Sequence, residues 1–259
     1  MSVLVRFRAL PDNDKSALVR KLVESGTPDF DYFYLIGLST LMATFGLLLD
    51  SSAIVIGSML IAPLMYPILG VAMGLVMMGE KISILHRATT TLVKSLTSGV
   101  VLAAVAAFFF GGTRESFQTA EVMARTEPSL LHLFVAIVAG AAVSYMLARP
   151  EWSETLPGVA IAVALIPPLA TIGIGIAAFN AVIIKGAFMI LLLNLIGIIG
   201  TATLLFLLMN LGEKQRVAES TLKKEAAKRE QQDKVLAEVE EQITVRKETT
   251  KTIKEDIVA

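Results

Sequence analysis

Ile56-Gly57-Ser58-Met59-Leu60-Ile61-Ala62-Pro63-Leu64 and Ile161-Ala162-Val163-Ala164-Leu165-Ile166-Pro167-Pro168-Leu169 lie one above the other without a gap. Five of the nine pairs are identical: Ile56 with Ile161, Leu60 with Leu165, Ile61 with Ile166, Pro63 with Pro168, and Leu64 with Leu169. The same offset pairs Gly70 with Gly175 and Ala72 with Ala177. Apolar stretches match one another readily, but a proline in the middle of both is a more specific coincidence. Internal repetition of this kind decides an architecture before any single residue does.

Each stretch sits inside a longer apolar run. A spanning helix needs about 20 mainly apolar residues, because the hydrocarbon core is about 30 Å thick and each residue rises about 1.5 Å. Six runs near that length occur, near 32–49, 52–78, 92–110, 129–148, 156–179 and 181–211. Of the 259 residues, 54% are hydrophobic and 18% charged, against roughly 25% charged in soluble domains. This excludes an ordinary soluble enzyme, a disordered chain and a disulfide-built secreted domain. Cysteine is absent and His86 and His132 are the two histidines, so one chain offers neither a thiolate nor a multi-histidine metal site. The 23 basic and 23 acidic residues cancel, and bulk charge points to no nucleic-acid partner. The expected class is an all-α integral membrane protein whose first partner is the lipid bilayer. The first run follows a polar stretch with Pro11, Asp12, Asp14 and Asp29, unlike a cleaved signal peptide, and is expected to remain.

Each proline-bearing stretch is the middle one of three runs. The halves, about 32–110 and 129–211, then hold three helices each, and an odd number forces them into opposite orientations across the membrane. Six transmembrane helices in two inverted repeats, with helices 2 and 5 broken at proline, are expected; secondary transporters share that plan. Flanking charge sets the orientation. Arg6, Arg8, Lys15, Arg20 and Lys21 precede the first run, Lys81 and Arg87 follow the second, and Arg149 follows the fourth. The 111–128 connection offers Arg114 and Arg125 beside Glu115, Glu121 and Glu127, and the turns at Asp50-Ser51 and Asn180 are nearly uncharged. Both termini are therefore expected to be cytoplasmic. Lys185 runs against this, and its long stem can snorkel to the outer interface.

Proline removes a backbone donor and crowds the carbonyl four residues back, so the helix kinks or opens. At membrane depth the freed groups need protein or water. Pro63 and Pro67 lie near the middle of the second run, with Gly57, Gly70 and Gly74 nearby, and Pro167-Pro168 near the middle of the fifth, with Gly173 and Gly175 following. Two readings stand: discontinuous helices that meet a solute near the midplane, or kinks that shape packing.

The run from Asp50 to Ile68 (Asp50-Ser51-Ser52-Ala53-Ile54-Val55-Ile56-Gly57-Ser58-Met59-Leu60-Ile61-Ala62-Pro63-Leu64-Met65-Tyr66-Pro67-Ile68) resembles the signature of the domain of unknown function 389 family. So does Gly158-Val159-Ala160-Ile161-Ala162-Val163-Ala164-Leu165-Ile166-Pro167-Pro168-Leu169-Ala170. These are uncharacterised hydrophobic membrane proteins of bacteria and archaea. The resemblance covers roughly residues 32–211 and implies a multi-pass bundle in the inner (cytoplasmic) membrane, without an activity. Many members carry a folded domain before the membrane part; about thirty residues precede it here, so no ligand-sensing role for such a domain is carried over.

Asp50 with Ser51 or Ser52 opens the second run, where side-chain oxygens cap free amides and an acid suits the positive helix end. Capping is the favoured reading there, ahead of an ion ligand. Asn194 sits mid-span in the sixth run, where interhelical bonding is favoured over solute contact. Lys94 is read as snorkelling and His132 as an interfacial residue. No Asp or Glu falls well inside a run, which weakens a proton-antiport or cation-pump reading. No HExxH pair, Walker loop, GxSxG elbow or Cys/His cluster is present, and no enzyme activity is expected. No cofactor or metal is expected either.

After Gly212 the chain becomes neutral but dense in charge, with eleven acidic and eleven basic residues over 213–259 and no Pro or Gly. A cytoplasmic helix is expected there. Leu222, Leu236, Ile243, Ile253 and Ile257 partly follow a heptad, with Ala226 and Val239 between them and Arg229 and Thr250 interrupting; a weak coiled coil that would make a homo-oligomer, or a helix docked on a partner, is favoured slightly over a solvated helical extension. The domain expectation is 1–31 as a short cytoplasmic segment, 32–211 as the membrane domain and 212–259 as the charged helix. Two functions stay open. One is a channel or secondary transporter for a small solute or ion, an anion or neutral solute favoured, its path formed by Ser58, Pro63, Tyr66, Pro67, Pro167, Pro168, Thr171 and Asn194. The other is a membrane scaffold whose C-terminal helix recruits partners.

Overall fold

The structure, a computed structural model, describes residues 11–25, 29–77, 83–112, 117–148, 155–214, 216–232 and 234–236. All regular structure among the described residues is helical. Helix α1 (Asp12–Ser25) was not foreseen in the polar N-terminal stretch. Its Leu18, Val19, Leu22 and Val23 fall on one face at helical spacing and are buried. That face packs on α4 (Met65–Val76) and the 3₁₀ turn Leu211–Lys214. The Lys214–Asp12 ion pair (3.2 Å) adds little beside it, because Asp12 is exposed.

Helix α2 (Phe30–Leu48) starts where the Asp29 carboxylate accepts the Tyr32 N–H at 2.8 Å. It turns into α3 (Ser52–Met59) through Asp50, whose φ of 52° is left-handed. The turn closes with the Ser51 N–H on the Gly46 carbonyl at 2.9 Å. Helix α8 (Thr155–Ala177) turns into α9 (Ala181–Leu208) in the same way, through Phe179 at φ 51° and an Asn180 N–H bonded to the Gly175 carbonyl at 2.9 Å. Both glycines admit close approach: a Cβ at Gly46 would lie 2.9 Å from the Val55 nitrogen, and one at Gly175 3.0 Å from the Ile184 nitrogen. The Asn180 side chain also caps α9, accepting the Val182 N–H at 3.0 Å.

Between α4 and α8 lie α5 (Ser83–Phe110), a four-residue helix α6 (Ala120–Met123) and α7 (Leu130–Leu147). The third run is thus a helix from Ser83 rather than from 92. Among the described residues, four helices are long and apolar enough to cross a membrane: α2 with 19 residues, α5, α7 with 18 and α9 with 28. On α7, Leu130, Leu131, Phe134, Val135 and Val138 are all exposed. A bilayer covers an apolar face of that size, and the chain is a membrane protein.

The second run is broken, with α3 ending at Met59 and α4 beginning at Met65. The fifth is not: α8 passes through Pro167 and Pro168 as one helix. This corrects the expected break there. Adjacent prolines strip donors only from the neighbouring carbonyls of Val163 and Ala164, and a packed helix can bend around so local a loss. Pro63 instead removes the helical donor to the Met59 carbonyl, where α3 ends, and Pro67 falls in the first turn of the helix that follows.

Residues from Glu219 onward form a second compact unit. Within it 219–232 and 234–236 are helical, with an exposed Lys234–Glu230 pair at 2.8 Å one turn apart. The heptad positions Val239, Ile243, Thr250, Ile253 and Ile257 lie outside the described residues.

Candidate functional site

Among the described residues, the interruption at Leu60–Leu64 is the one place where the ladder of an apolar helix opens inside the bundle. The Leu60 and Ile61 N–H groups turn back onto the Gly57 and Ser58 carbonyls, each at 3.3 Å. Pro67 falls in the first turn of α4, where a backbone N–H has no helical partner anyway. The Ser58 carbonyl takes a second bond from α2, donated by the buried Ser39 hydroxyl at 2.7 Å. Ser58 itself is fully buried and donates to the Val55 carbonyl at 2.6 Å.

Thr40, next to Ser39 on α2, is fully buried and its hydroxyl has no hydrogen-bond partner. A helical threonine ordinarily bonds a carbonyl one turn back. The Thr40 oxygen instead faces Gly99 of α5, 3.2 Å from where a Cβ would stand, and the Leu169 side chain of α8 closes the same space at 2.7 Å. Leu169 directly follows Pro168. Ser39 thus ties α2 to the broken helix, Thr40 lies at Gly99 beside the space that Leu169 fills, and sequence reasoning missed both. A hydroxyl in an apolar run carries no signal of a partner 19 residues away, as Ser58 is from Ser39.

Of the expected residues, Pro63 lies in the break, Tyr66 and Pro67 lie in the first turn of α4, and Pro167 and Pro168 are buried within α8. The Thr171 hydroxyl donates to the Pro167 carbonyl at 2.8 Å, one turn away on its own helix. Asn194 is buried on α9. The bearing elements touch, α8 on α3 and α4, and α9 on α4. The Ser58 and Thr171 hydroxyls are spent on their own helices rather than aimed into a shared gap.

Asp50 and Ser52 do not cap α3 with their side chains. Ser51 is its N-cap, without a side-chain bond. Asp50 accepts the Glu121 N–H at 2.8 Å, and the Ser52 hydroxyl donates to the Glu121 carboxylate. Glu121 also pairs with Arg125 at 2.6 Å, and the Thr119 hydroxyl donates to the Leu47 carbonyl at 2.7 Å. The Ser52 bond, aided by Arg125 and opposed by partial burial, holds the Glu121 carboxyl below the usual range. His132 is used locally, its Nδ1 3.3 Å from the Ser129 N–H in a capping box. Lys94 and Lys185 are exposed, and Lys185 stands one turn inside the start of α9.

The family described as Domain of unknown function (DUF389) matches residues 59–200, more than half of the chain, with Pro63, Pro67, Pro167 and Pro168 all inside the match. The chain belongs to this family. An uncharacterised protein of the archaeon Methanocaldococcus jannaschii is 29% identical over 169 residues, which cover 65% of this chain and 51% of that protein. The DUF389 chain therefore spans about half the length of the curated relative it matches. No solved structure matches it.

Proposed function

We propose that this DUF389 protein is a channel or secondary transporter for a small solute or ion, with its path at the break in the second run. The carrying observation is that interruption: an apolar helix opens at Leu60–Leu64, and the unpartnered Thr40 hydroxyl lies one residue from Ser39, which bonds the Ser58 carbonyl. Polar contact there comes from backbone and hydroxyl groups, which suit a neutral solute or an anion better than a proton. The proposal includes six spans in the inner membrane, in two inverted halves, with both termini cytoplasmic. Packing supports it: α5 lies on α8, and the corresponding pair from the opposite halves, α9 on α4, also touches. Inward flux into reconstituted vesicles, tested with anions, cations and neutral solutes, decides the matter. Saturable or selective flux of one class supports a path; folded protein that passes none of them removes it.

A scaffold is the second reading, favoured by the separate unit from Glu219 onward. Truncation after Gly212 tests whether that unit assembles the protein. A lower oligomer mass in detergent supports assembly, and an unchanged mass removes the tail as its cause.

A further inference from the structure

We propose that residues 117–126, in the connection between the two halves, form a strap that opens at the tip of the α2–α3 hairpin while it stays seated on α9. The strap is held at two places of different character. At the hairpin tip the bonds are made by side chains at or near the surface: Asp50 to the Glu121 N–H, Ser52 to the Glu121 carboxylate, and Thr119 to the Leu47 carbonyl. Arg125 steadies the same Glu121 from within the strap. Water competes with each of these bonds as the strap lifts, so each opposes opening weakly. At the other place the Thr126 carbonyl rests directly against Gly186 of α9, so closely that no Cβ would fit between them. That contact is backbone on helix, and it forms the pivot.

The closed strap hides surface. Val122 is wholly buried beneath it, and Phe117 is nearly so. Beside it lies a half-open cavity of about 260 Å³, lined by Phe117 and Gln118 of the strap and by Phe179, Asn180 and Ile183 of the α8–α9 hairpin. Release of the first tip exposes the C-terminal end of α2 and widens that cavity. The strap then acts as a cover over one end of the bundle. Its effect on flux rests on the path proposed above; its opening does not.

The chain has no cysteine, so Val122→Cys introduces a single thiol. Its labelling by a soluble maleimide at neutral pH in detergent reads opening directly. Adding Ser52→Ala and Asp50→Ala should speed labelling roughly ten-fold or more, as losing two bonds shifts a local opening equilibrium. Asp50→Asn, which keeps the acceptor and tolerates the left-handed turn, should leave the rate near that of the parent. Equal rates in all three proteins overturn the strap. Hydrogen exchange of the Glu121 and Val122 amides in the cysteine-free protein gives the same reading without the thiol, and protection that survives Ser52→Ala with Asp50→Ala overturns it too. Faster opening with unchanged flux in vesicles upholds the strap and counts against the path beneath it.

Discussion

Pro63 and Pro67 stand four residues apart and have different consequences. Pro63 lies in the break itself, whereas Pro67 lies in the first turn of α4, where no helical donor is lost. Pro63→Ala returns an N–H to the Met59 carbonyl and favours closure of the ladder. Vesicle flux should fall for Pro63→Ala while its unfolding temperature stays at or above the parent's; Pro67→Ala should change either by little. A flux loss that tracks instability would make Pro63 a packing kink. Thr40 gives a second expectation. Thr40→Val keeps the shape and removes a buried hydroxyl without a partner, so stability should rise or hold, within about 1 kcal/mol in chemical unfolding. Ser39→Ala should destabilise by about 1 kcal/mol, because the Ser58 carbonyl loses a bonded partner. Prolines are legible in a sequence because their chemistry is fixed wherever they stand. Ser39 and Thr40 were not legible, because a hydroxyl's role depends on which helix lies opposite.

At the scale of elements, the turns at Asp50-Ser51 and Asn180 fall where charge-poor breaks in apolarity placed them. The break in the second run was legible from Pro63, but continuity through Pro167-Pro168 was not, since sequence shows the lost donors and not the packing that tolerates them. Helix α1 escaped because its buried stripe is short and set among charges. The direction of the Asp50 and Ser52 side chains escaped for a similar reason: their partner, Glu121, is some seventy positions away in sequence. That partner makes the strap sensitive to acid. The folded-state pKa of Glu121 lies below its ordinary value, so its contribution is complete above the ordinary carboxylate range and is lost as pH falls through the lowered value. The parent should therefore be more stable than Glu121→Gln at neutral pH, and the difference should shrink as pH falls below about 4.5, the ordinary value for Glu. Thermal unfolding of both proteins across that window checks it; a constant difference would mean the carboxylate charge contributes nothing.

At the scale of the molecule, the membrane class was legible because length and composition are enough to mark apolar helices, and four described helices meet the full requirement. The likeness of the two glycine-closed turns, at Gly46 and Gly175, was not legible, because the offset between them differs from the one that aligns Pro63 with Pro168. One property of the bundle follows from its helix lengths. Helices α5 and α9 have 28 residues each, while α2 and α7 have 19 and 18. At about 1.5 Å per residue these are rods of about 42 Å and about 28 Å bound side by side. No flat slab of lipid matches both. α5 can project its polar first turns, with His86 and Arg87, beyond the hydrocarbon, but α9 carries Lys185 as its one charge, a single turn from its start, and its remaining length still exceeds the hydrocarbon, so it must lean. The lean of α9 is thereby tied to the acyl chain length of the surrounding lipid. Unfolding temperature measured in bilayers of graded chain length should pass through a maximum and fall on both sides, and a flat response would mean that packing alone fixes the lean. A membrane of a different thickness would then act on this protein as a mechanical load, carried through α9 to the strap seated on Gly186.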